Sequence, residues 1–130
     1  MAPFVEIYEA LITGINQLGI DTFSASQDVP HELPVARVQL LNGDSTNAYQ
    51  NAREYNYPFQ IDVVTGQNEL AKGLDLAYKV MQLCRTACID DYVIRSSEPS
   101  LSSMVDTSTN RVLNRQIIRV SYTVVEDTAF

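Results

Sequence analysis

One stretch of this chain, residues 55–88, constrains the fold more than any other, because its pattern changes from a period of two to a helical period across one glycine. Aromatic and β-branched residues first alternate with polar ones, which is typical of a half-buried strand. The predicted inner face of that strand carries Tyr55, Tyr57, Phe59, Ile61 and Val63. The strand ends at Gly66, where turn chemistry replaces the alternation.

Beyond Gly66 the apolar residues recur at spacings of three and four, which indicates one face of a long helix. The predicted stripe consists of Leu70, Leu74, Ala77, Val80, Met81, Cys84, Ala87 and Cys88. Because the connection is so short, the helix is expected to fold back across the sheet and to bury both apolar faces together.

Residues 4–18 predict another amphipathic helix at the beginning of the chain. Its apolar stripe consists of Phe4, Tyr8, Leu11, Ile12, Ile15 and Leu18. Pro3 suits the first turn of this helix, and Gly19 suits its end. The segment lacks a basic start and is interrupted by Glu6 and Glu9, which is not the pattern of a signal peptide, so we expect assembly in a cytoplasm.

The remaining segments predict further strands and their connections. Residues 20–34 contain several serines and prolines and are expected to form a connector, followed by a strand at 35–41. The polar residues 42–53, NGDSTNAYQNAR, are expected to form a projecting loop or an extended hairpin tip. Residues 89–99 are expected to be mostly loop, with at most a short strand at 92–94, and the later strands are predicted at 101–107 and 111–125.

These elements predict a single α+β domain, residues 1–130, in the order α-β-β-α-β-β. The expected architecture is a four-stranded, mainly antiparallel sheet with two helices packed on one face. The opposite face is expected to be comparatively polar, with Arg37, Gln39, Asn56, Gln60, Asp62, Arg115 and Arg119. Pro58 removes a hydrogen-bond donor, so its strand is expected to lie at a sheet edge, where another chain can add, or to carry a bulge.

Composition narrows the classes of function. A chain of 130 residues can bury a core as one domain, and its formal charge of −7 makes it a poor candidate for gripping nucleic-acid phosphates. An acidic surface could keep a protein from sticking to DNA, although plain solubility is the simpler explanation of the charge. No apolar run approaches the roughly 20 residues that span a bilayer.

No constellation of side chains in the sequence predicts catalysis. The only histidine, His31, lies in a proline-bounded connector and is expected to face solvent. Cys84 and Cys88 lie one helical turn apart on the apolar stripe, so we expect buried thiols that act as small hydrophobic groups. The adjacent carboxylates of Asp90 and Asp91 follow a helix end and are expected to be solvated. The sequence therefore predicts a protein that is not an enzyme and uses no metal or cofactor.

Two further carboxylates and several apolar residues lie outside the predicted core. The pattern places no cation near Asp62 or Asp106, so neither is expected to form a site. Leu76 and Leu83 lie off the main stripe of the long helix. Other apolar residues outside the predicted core are Tyr49, Val64 and Ile117. Together these residues favour a subunit that packs against copies of itself over a monomer.

Several of these segments together resemble a known family. They are the strand YPFQIDV at 57–63 with the turn and long helix after it, residues 102–105, and the final strand RVSYTV at 119–124. The family is that of the tail terminator or head–tail joining (tail completion) proteins of long-tailed bacteriophages. The length, the opening helix and the order of elements are similar as well, so the resemblance extends over nearly the whole chain.

The resemblance implies a structural virion protein, a subunit of a six-membered ring that caps the tail tube, terminates its polymerisation and provides the surface for head attachment. Its implied partners are copies of itself, the tail tube protein and the head connector or neck protein. DNA would pass through the ring without specific binding, which suits an acidic chain. The implied location is the tail or neck of the virion, after assembly in the cytoplasm of a bacterial host.

A ring requires a heterologous interface, in which one face of a subunit meets a different face of the next. The candidate interface residues are Asp44, Asn47, Tyr49, Arg53 and Pro58. Two alternatives stay open: another neck or tail-completion subunit, and, from a different class, a small α+β ligand-binding domain. A deep pocket with converging polar groups would favour the ligand-binding domain.

Overall fold

The computed structural model describes the backbone of residues 2–24, 33–42, 44–49, 52–87, 89, 92–107 and 111–127, and the side chains of these residues except 23–24, 44–49, 52–53 and 126–127. The described helices are α1 (Pro3–Gln17) and α2 (Leu70–Thr86). The described strands are β1 (Asp21–Ser24), β2 (Val35–Leu40), β3 (Asp44–Tyr49), β4 (Ala52–Gly66), β5 (Val93–Ser96), β6 (Ser100–Asp106) and β7 (Leu113–Asp127).

The two longest strands, β4 and β7, form the axis of the sheet. They pair antiparallel over 15 residues each, in a register that runs without a shift from Ala52↔Asp127 to Gly66↔Leu113. On the outer side of β4, β3 pairs with the first part of the strand and β2 with the second. On the outer side of β7, β6 pairs with the first part and β5 with the second.

The sheet is therefore wider than the four strands predicted. In the described residues seven strands join one sheet, with β1 at an edge, parallel to β2. The α+β class and the antiparallel character agree with the prediction, but the strand number and the order of elements do not. The sequence pattern missed β1 and left β3 open between a loop and a hairpin, because both lack an apolar alternation and pairing with a neighbouring strand decides their conformation.

The main core lies between both helices and one face of the sheet. The register pairs Ile61 with Ile118 on one side and with Val38 on the other, so the inward residues of three strands share a face. The fully buried residues of this core include Ile7, Leu11, Ile15, Ala77, Val80, Cys84, Phe59, Ile61, Val63, Ile118 and Tyr122. Both helices thus lie on one face, as predicted, and the predicted inner face of β4 is correct.

The corner between β4 and α2 is held by hydrogen bonds on both sides of Gly66. The backbone N–H of Gly66 donates to the Glu69 carboxylate over 3.1 Å, and the Asn114 amide of β7 donates to the Gly66 carbonyl over 2.7 Å. The Thr65 hydroxyl also donates to the Glu69 carbonyl, over 3.1 Å. These bonds direct α2 back across the sheet, as the short connection predicted.

The helix α2 is rotated relative to the predicted stripe. Leu76 is 9% exposed, whereas Leu70 and Leu74 are 46% and 40% exposed. Leu83 is half-buried, and its terminal carbons lie close to Gly14 of α1. The expectation that Leu76 and Leu83 are left over for partners is therefore wrong, because α1 lies beside α2 and covers that flank.

Pro58 lies neither at a sheet edge nor at a bulge. It sits in the central strand β4 opposite Ser121, in a ladder with no register shift. Its carbonyl accepts a hydrogen bond of 2.9 Å from the Leu41 N–H, so its backbone groups point away from β7. The proline is tolerated because it lies between the part of β4 that pairs with β3 and the part that pairs with β2.

Neither helix in the described part of the chain is long and apolar enough to cross a membrane.

Gly73 allows α2 to approach the sheet closely, and replacing it with alanine should destabilise the fold. A Cβ atom there would lie 2.7 Å from the Thr65 Oγ1 atom. Thr65 is fully buried and hydrogen-bonded, so it cannot move away cheaply. Although alanine favours a helix by ~1 kcal/mol, we expect Gly73→Ala to lower the free energy of unfolding by about 1–2 kcal/mol in urea titrations.

Gly14→Ala is the matched control, because it also replaces a glycine inside a helix. The three atoms nearest to the added Cβ would all belong to the Leu83 side chain, with its terminal carbons at 2.7 and 2.8 Å, and that half-buried side chain can change its rotamer. Helix propensity should offset this adjustment, so we expect stability within ~0.5 kcal/mol of the wild type. A Gly73→Ala protein as stable as the Gly14→Ala protein would contradict the close approach of α2 to β4.

Candidate interaction surface

Among the described residues, no group of three or more His, Cys, Asp or Glu side chains is placed to hold a metal ion. His31, Cys88, Asp90 and Asp91, which the sequence singled out, lie outside the described residues.

Cys84 lies on the buried face of α2, in the core, as predicted for a structural thiol. The Tyr122 hydroxyl donates a hydrogen bond of 2.8 Å to the Cys84 carbonyl, which ties β7 to the last part of α2. Burial raises the pKa of the Cys84 thiol to about 11, and burial also raises the pKa of Tyr122 well above its ordinary value. Both groups are therefore neutral near pH 7 and act as core residues.

The face of the sheet opposite the helices carries an ion-pair network across three neighbouring strands. Arg115 of β7 donates to Asp62 of β4 over 2.9 Å and to Asp106 of β6 over 2.8 Å. The exposed fractions of the three side chains are 24%, 12% and 12%, so the network is largely shielded from water. These ion pairs link β4, β7 and β6 on this face of the sheet.

The prediction that Asp62 and Asp106 have no cation near them is wrong. Arg115 lies 53 residues after Asp62 in the chain, and only the β4–β7 and β6–β7 registers bring the three residues together. The alternation of the strands had already placed Asp62 and Arg115 on the same polar face. The signal that was missing is the register, which a single sequence does not specify for distant strands.

The polar network continues along the same face. The Gln60 amide donates to Asp62 over 3.1 Å, and Arg119 donates to the Gln60 oxygen over 3.2 Å. Beside the network, Val35, Val64 and Leu113 form a small second apolar cluster. The predicted polar face is thus observed, but it is internally hydrogen-bonded, and one of its predicted leftover residues, Val64, is buried.

A shallow cavity of about 270 Å³ lies at the level of Pro58. At this level of the sheet, the outer partner of β4 changes between β2 and β3, and the outer partner of β7 changes between β6 and β5. The cavity is lined by Leu41, Pro58, Ser97, Glu98, Ser100, Arg119, Val120 and Ser121. Its volume falls just below the usual range of ~300–1,000 Å³ for small-molecule pockets.

The predicted interface residues lie on β3 and β4. Of the two forms expected for residues 42–53, the structure has the extended hairpin: Asp44 pairs with Asn56, and Tyr49 pairs with Ala52. Asn47 falls within the register shift of this hairpin. The side chains of Asp44, Asn47, Tyr49 and Arg53 lie outside the described part of the structure, so their contacts with a partner stay a prediction.

Comparisons with known proteins show a similarity of fold to solved structures. No protein-family model matches the chain, and no curated protein matches its sequence. The fold is similar to a chain from the solved virion of a native gene transfer agent particle, with a TM-score of 0.61 and 15% identity over 96% of both chains. A second solved structure is similar with a TM-score of 0.61 and 14% identity, over 95% of this chain and 96% of its own.

Removing the Arg115 guanidinium should destabilise the sheet. Arg115→Met leaves the carboxylates of Asp62 and Asp106 shielded from water and without their shared cation. We expect the free energy of unfolding at pH 7 to fall by about 1–3 kcal/mol, measured by urea titration.

Lys79→Met is the matched control for Arg115→Met, because it breaks an ion pair with Asp75 whose side chains are 54% and 67% exposed. Its expected loss is ~0.5 kcal/mol or less. Equal losses for the two variants would mean that the three-strand network contributes no more than a surface pair.

The buried Cys84 thiol should resist labelling in the folded protein. In a Cys88→Ser background, thiol reagents at pH 8 should react with Cys84 at least about tenfold more slowly than with an ordinary thiol, because the side chain is fully buried and burial raises its pKa to about 11. Addition of denaturant should restore ordinary reactivity. Rapid labelling without denaturant would contradict the placement of Cys84 in the core.

Proposed function

We propose that this chain is a structural virion protein, the ring-forming subunit that caps a phage tail tube, terminates its polymerisation and provides the surface for head attachment. The observation that carries the proposal is the fold shared over 96% of both chains with a component of a gene transfer agent virion. Coverage of this extent means that the whole domain is shared, although at 15% identity the likeness itself concerns the fold alone. The sequence pattern points to the same class of protein.

The arrangement of the sheet supports a role in assembly. The strand β6 is an outer strand whose side chains are exposed from Ser100 to Val105, including the apolar Leu101, Met104 and Val105. Exposed apolar side chains on an outer strand favour contact with another chain over solvation. A subunit that acts by shape and surface would use such edges in place of a catalytic cleft.

The charge of the chain supports a channel through which DNA passes. Each subunit carries a formal charge of −7, so a ring of copies is strongly negative as a whole. Binding to a duplex is driven largely by cationic groups that release counterions from the phosphates. An acidic ring therefore lets DNA slide through without gripping it.

The proposed partners follow from this position. Copies of the chain form the ring, of six subunits in the family that the sequence resembles. The tail tube protein contacts one end of the ring and the head connector or neck protein contacts the other. The proposed location is the tail or neck of a virion, after assembly in the cytoplasm of a bacterial host.

One observation favours a second candidate from a different class. The cavity of about 270 Å³ beside Pro58 contains Arg119 and three serines, which could orient a small polar ligand. Its walls are open, and Arg119 already donates to Gln60. A ligand-binding domain is therefore the weaker candidate, and the same deletion experiment separates it from a tail protein.

Deleting the gene for this chain from the genome that encodes it should alter the particles in a specific way. Because the ring stops tube growth, electron micrographs should show tubes of uncontrolled length without heads. Tails of normal length that fail to join heads would indicate another neck or tail-completion subunit. Normal, infectious particles would contradict a structural role and favour the ligand-binding domain. Expression of the wild-type chain from a plasmid is the control and should restore normal particles.

A further inference from the structure

Exposed apolar side chains concentrate along one flank of α2 and on the neighbouring edge strand. We call this surface the α2–β6 seam; it consists of Leu70, Leu74 and Tyr78 of α2 and of Leu101 and Val105 of β6. These side chains are 46%, 40%, 56%, 41% and 60% exposed. Leu70 and Leu74 belong to the apolar stripe that the sequence assigned to the core, so the chain contains an apolar face that its own fold does not cover.

Two contacts establish which way the flanks of α2 face. Leu83 lies against Gly14, so the flank with Leu83 faces α1. Arg85 forms an ion pair of 3.2 Å with Glu98 in the connection between β5 and β6. At 100° per residue, Leu74 lies within about 20° of Arg85 around the helix axis and on the side opposite Leu83. The exposed flank of α2 therefore faces β6.

The register brings the two parts of the seam to the same level. Near the start of α2, Gly73 lies over Gln116, since a Cβ at Gly73 would be 3.7 Å from the Gln116 amide nitrogen. Near the end of α2, Cys84 is hydrogen-bonded to Tyr122. The helix therefore runs in the same direction as β7. Since Ser103 pairs with Gln116, the two seam residues of β6 lie on either side of the level of Gly73. They face the helix side of the sheet, because they pair with Asn114 and Ile118.

In the part of the chain that the structure describes, β6 pairs only with β7, so its outer edge is open to a further strand. The Ser121 carbonyl accepts from the Ser97 N–H over 2.8 Å, so the backbone groups of Ser121 point toward β5 and β6. Backbone direction alternates along a strand, so Arg119, Ile117 and Arg115 also direct their N–H and C=O groups toward β6. The residues of β6 that pair with these three use their own backbone groups in the ladder to β7. The residues between these partners direct N–H and C=O groups out of the sheet: Leu101, Ser103 and Val105.

The opposite edge of the sheet differs from β6. There the N–H of Thr22 in β1 donates to the Asn16 side chain over 3.0 Å, so the chain itself satisfies this edge group. The edge strand β6 contains no proline, lysine or arginine, and its single charge, Asp106, is bound to Arg115 at its end. It therefore lacks the features by which natural sheets discourage pairing at an edge.

We infer that the α2–β6 seam is the surface on which a second copy of this chain docks, adding backbone to β6 and covering the exposed flank of α2. The five side chains expose on the order of 500 Å², which is more than half of the ~800 Å² that each partner buries in a standard interface. None of them is charged, so two copies of −7 each can meet there without burying an unpaired charge. The inference deepens the proposed ring and rests on it for the number of copies.

The experiment compares charged substitutions inside and outside the seam by sedimentation velocity and native mass spectrometry. The seam variant is Val105→Glu, and the matched control is Val93→Glu, since Val93 is a 73% exposed valine on β5, the other strand on the outer side of β7. We expect the wild type to assemble with concentration, Val105→Glu to raise the dissociation constant about tenfold or more, and Val93→Glu to leave it within about twofold.

Two further variants address folding and the backbone contact. Leu74→Glu carries the charge on the helix side of the seam, so it replaces Val105→Glu if that protein does not fold by circular dichroism. Ser103→Pro removes an outward N–H while sparing the ladder to β7. It should weaken assembly if the second copy adds backbone to β6, and it should leave assembly unchanged if only side chains are covered.

The outcomes separate the seam from the ring. Wild-type rings that persist in both glutamate variants of the seam overturn the seam and leave the ring proposal standing. Wild-type dimers that the seam variants abolish support the seam and contradict a ring, because a self-complementary contact closes at two copies. A wild type that stays monomeric at all concentrations, with tail tube protein added, overturns both.

Discussion

The uninterrupted antiparallel ladder between β4 and β7 is the constraint on which the rest of the structure depends. Its two strands are long enough for each to share its outer side between two shorter strands. The same ladder brings Asn114 to the Gly66 carbonyl, where the chain turns from β4 into α2. The position of the helix over the sheet therefore also follows from this pair of strands.

The helical layer is narrower than the sheet, and this mismatch connects the fold to the proposed function. Two helices cover β2, β4 and β7, and α2 turns its Leu83 flank toward α1. Among the described residues, no third helix covers the opposite flank, with Leu70 and Leu74, or the edge strand β6. Burying that area would stabilise an assembly without any change in the monomer, because the apolar groups already face solvent.

The other face of the sheet is stabilised by charge. Arg115 joins Asp62 and Asp106 across three strands, and the buried cluster around Val64 lies beside them. This arrangement holds β6 against β7 on the side that the helices do not reach. A well-held edge strand is what an incoming chain requires, since pairing with a strand that frays would cost additional conformational entropy.

Local patterns in the sequence were sufficient for both helices, for the strands β2, β4, β6 and β7, for the inward residues of β4 and for the polar face, because periodicity and turn residues act within a few neighbours. They could not supply β1, decide between a loop and a hairpin at β3, or identify the partner of Asp62, which is 53 residues away, because all three depend on pairing between strands.

The sequence by itself determined which residues are apolar and in what period, and hence that two helices and a sheet would bury a common core. Only the tertiary structure decided which apolar residues that core uses. The stripe of α2 is wider than the area that the sheet offers, and α1 takes the flank with Leu76 and Leu83. Leu70 and Leu74 stay exposed because packing against one neighbour excludes the opposite flank, and no local pattern records which side that neighbour occupies.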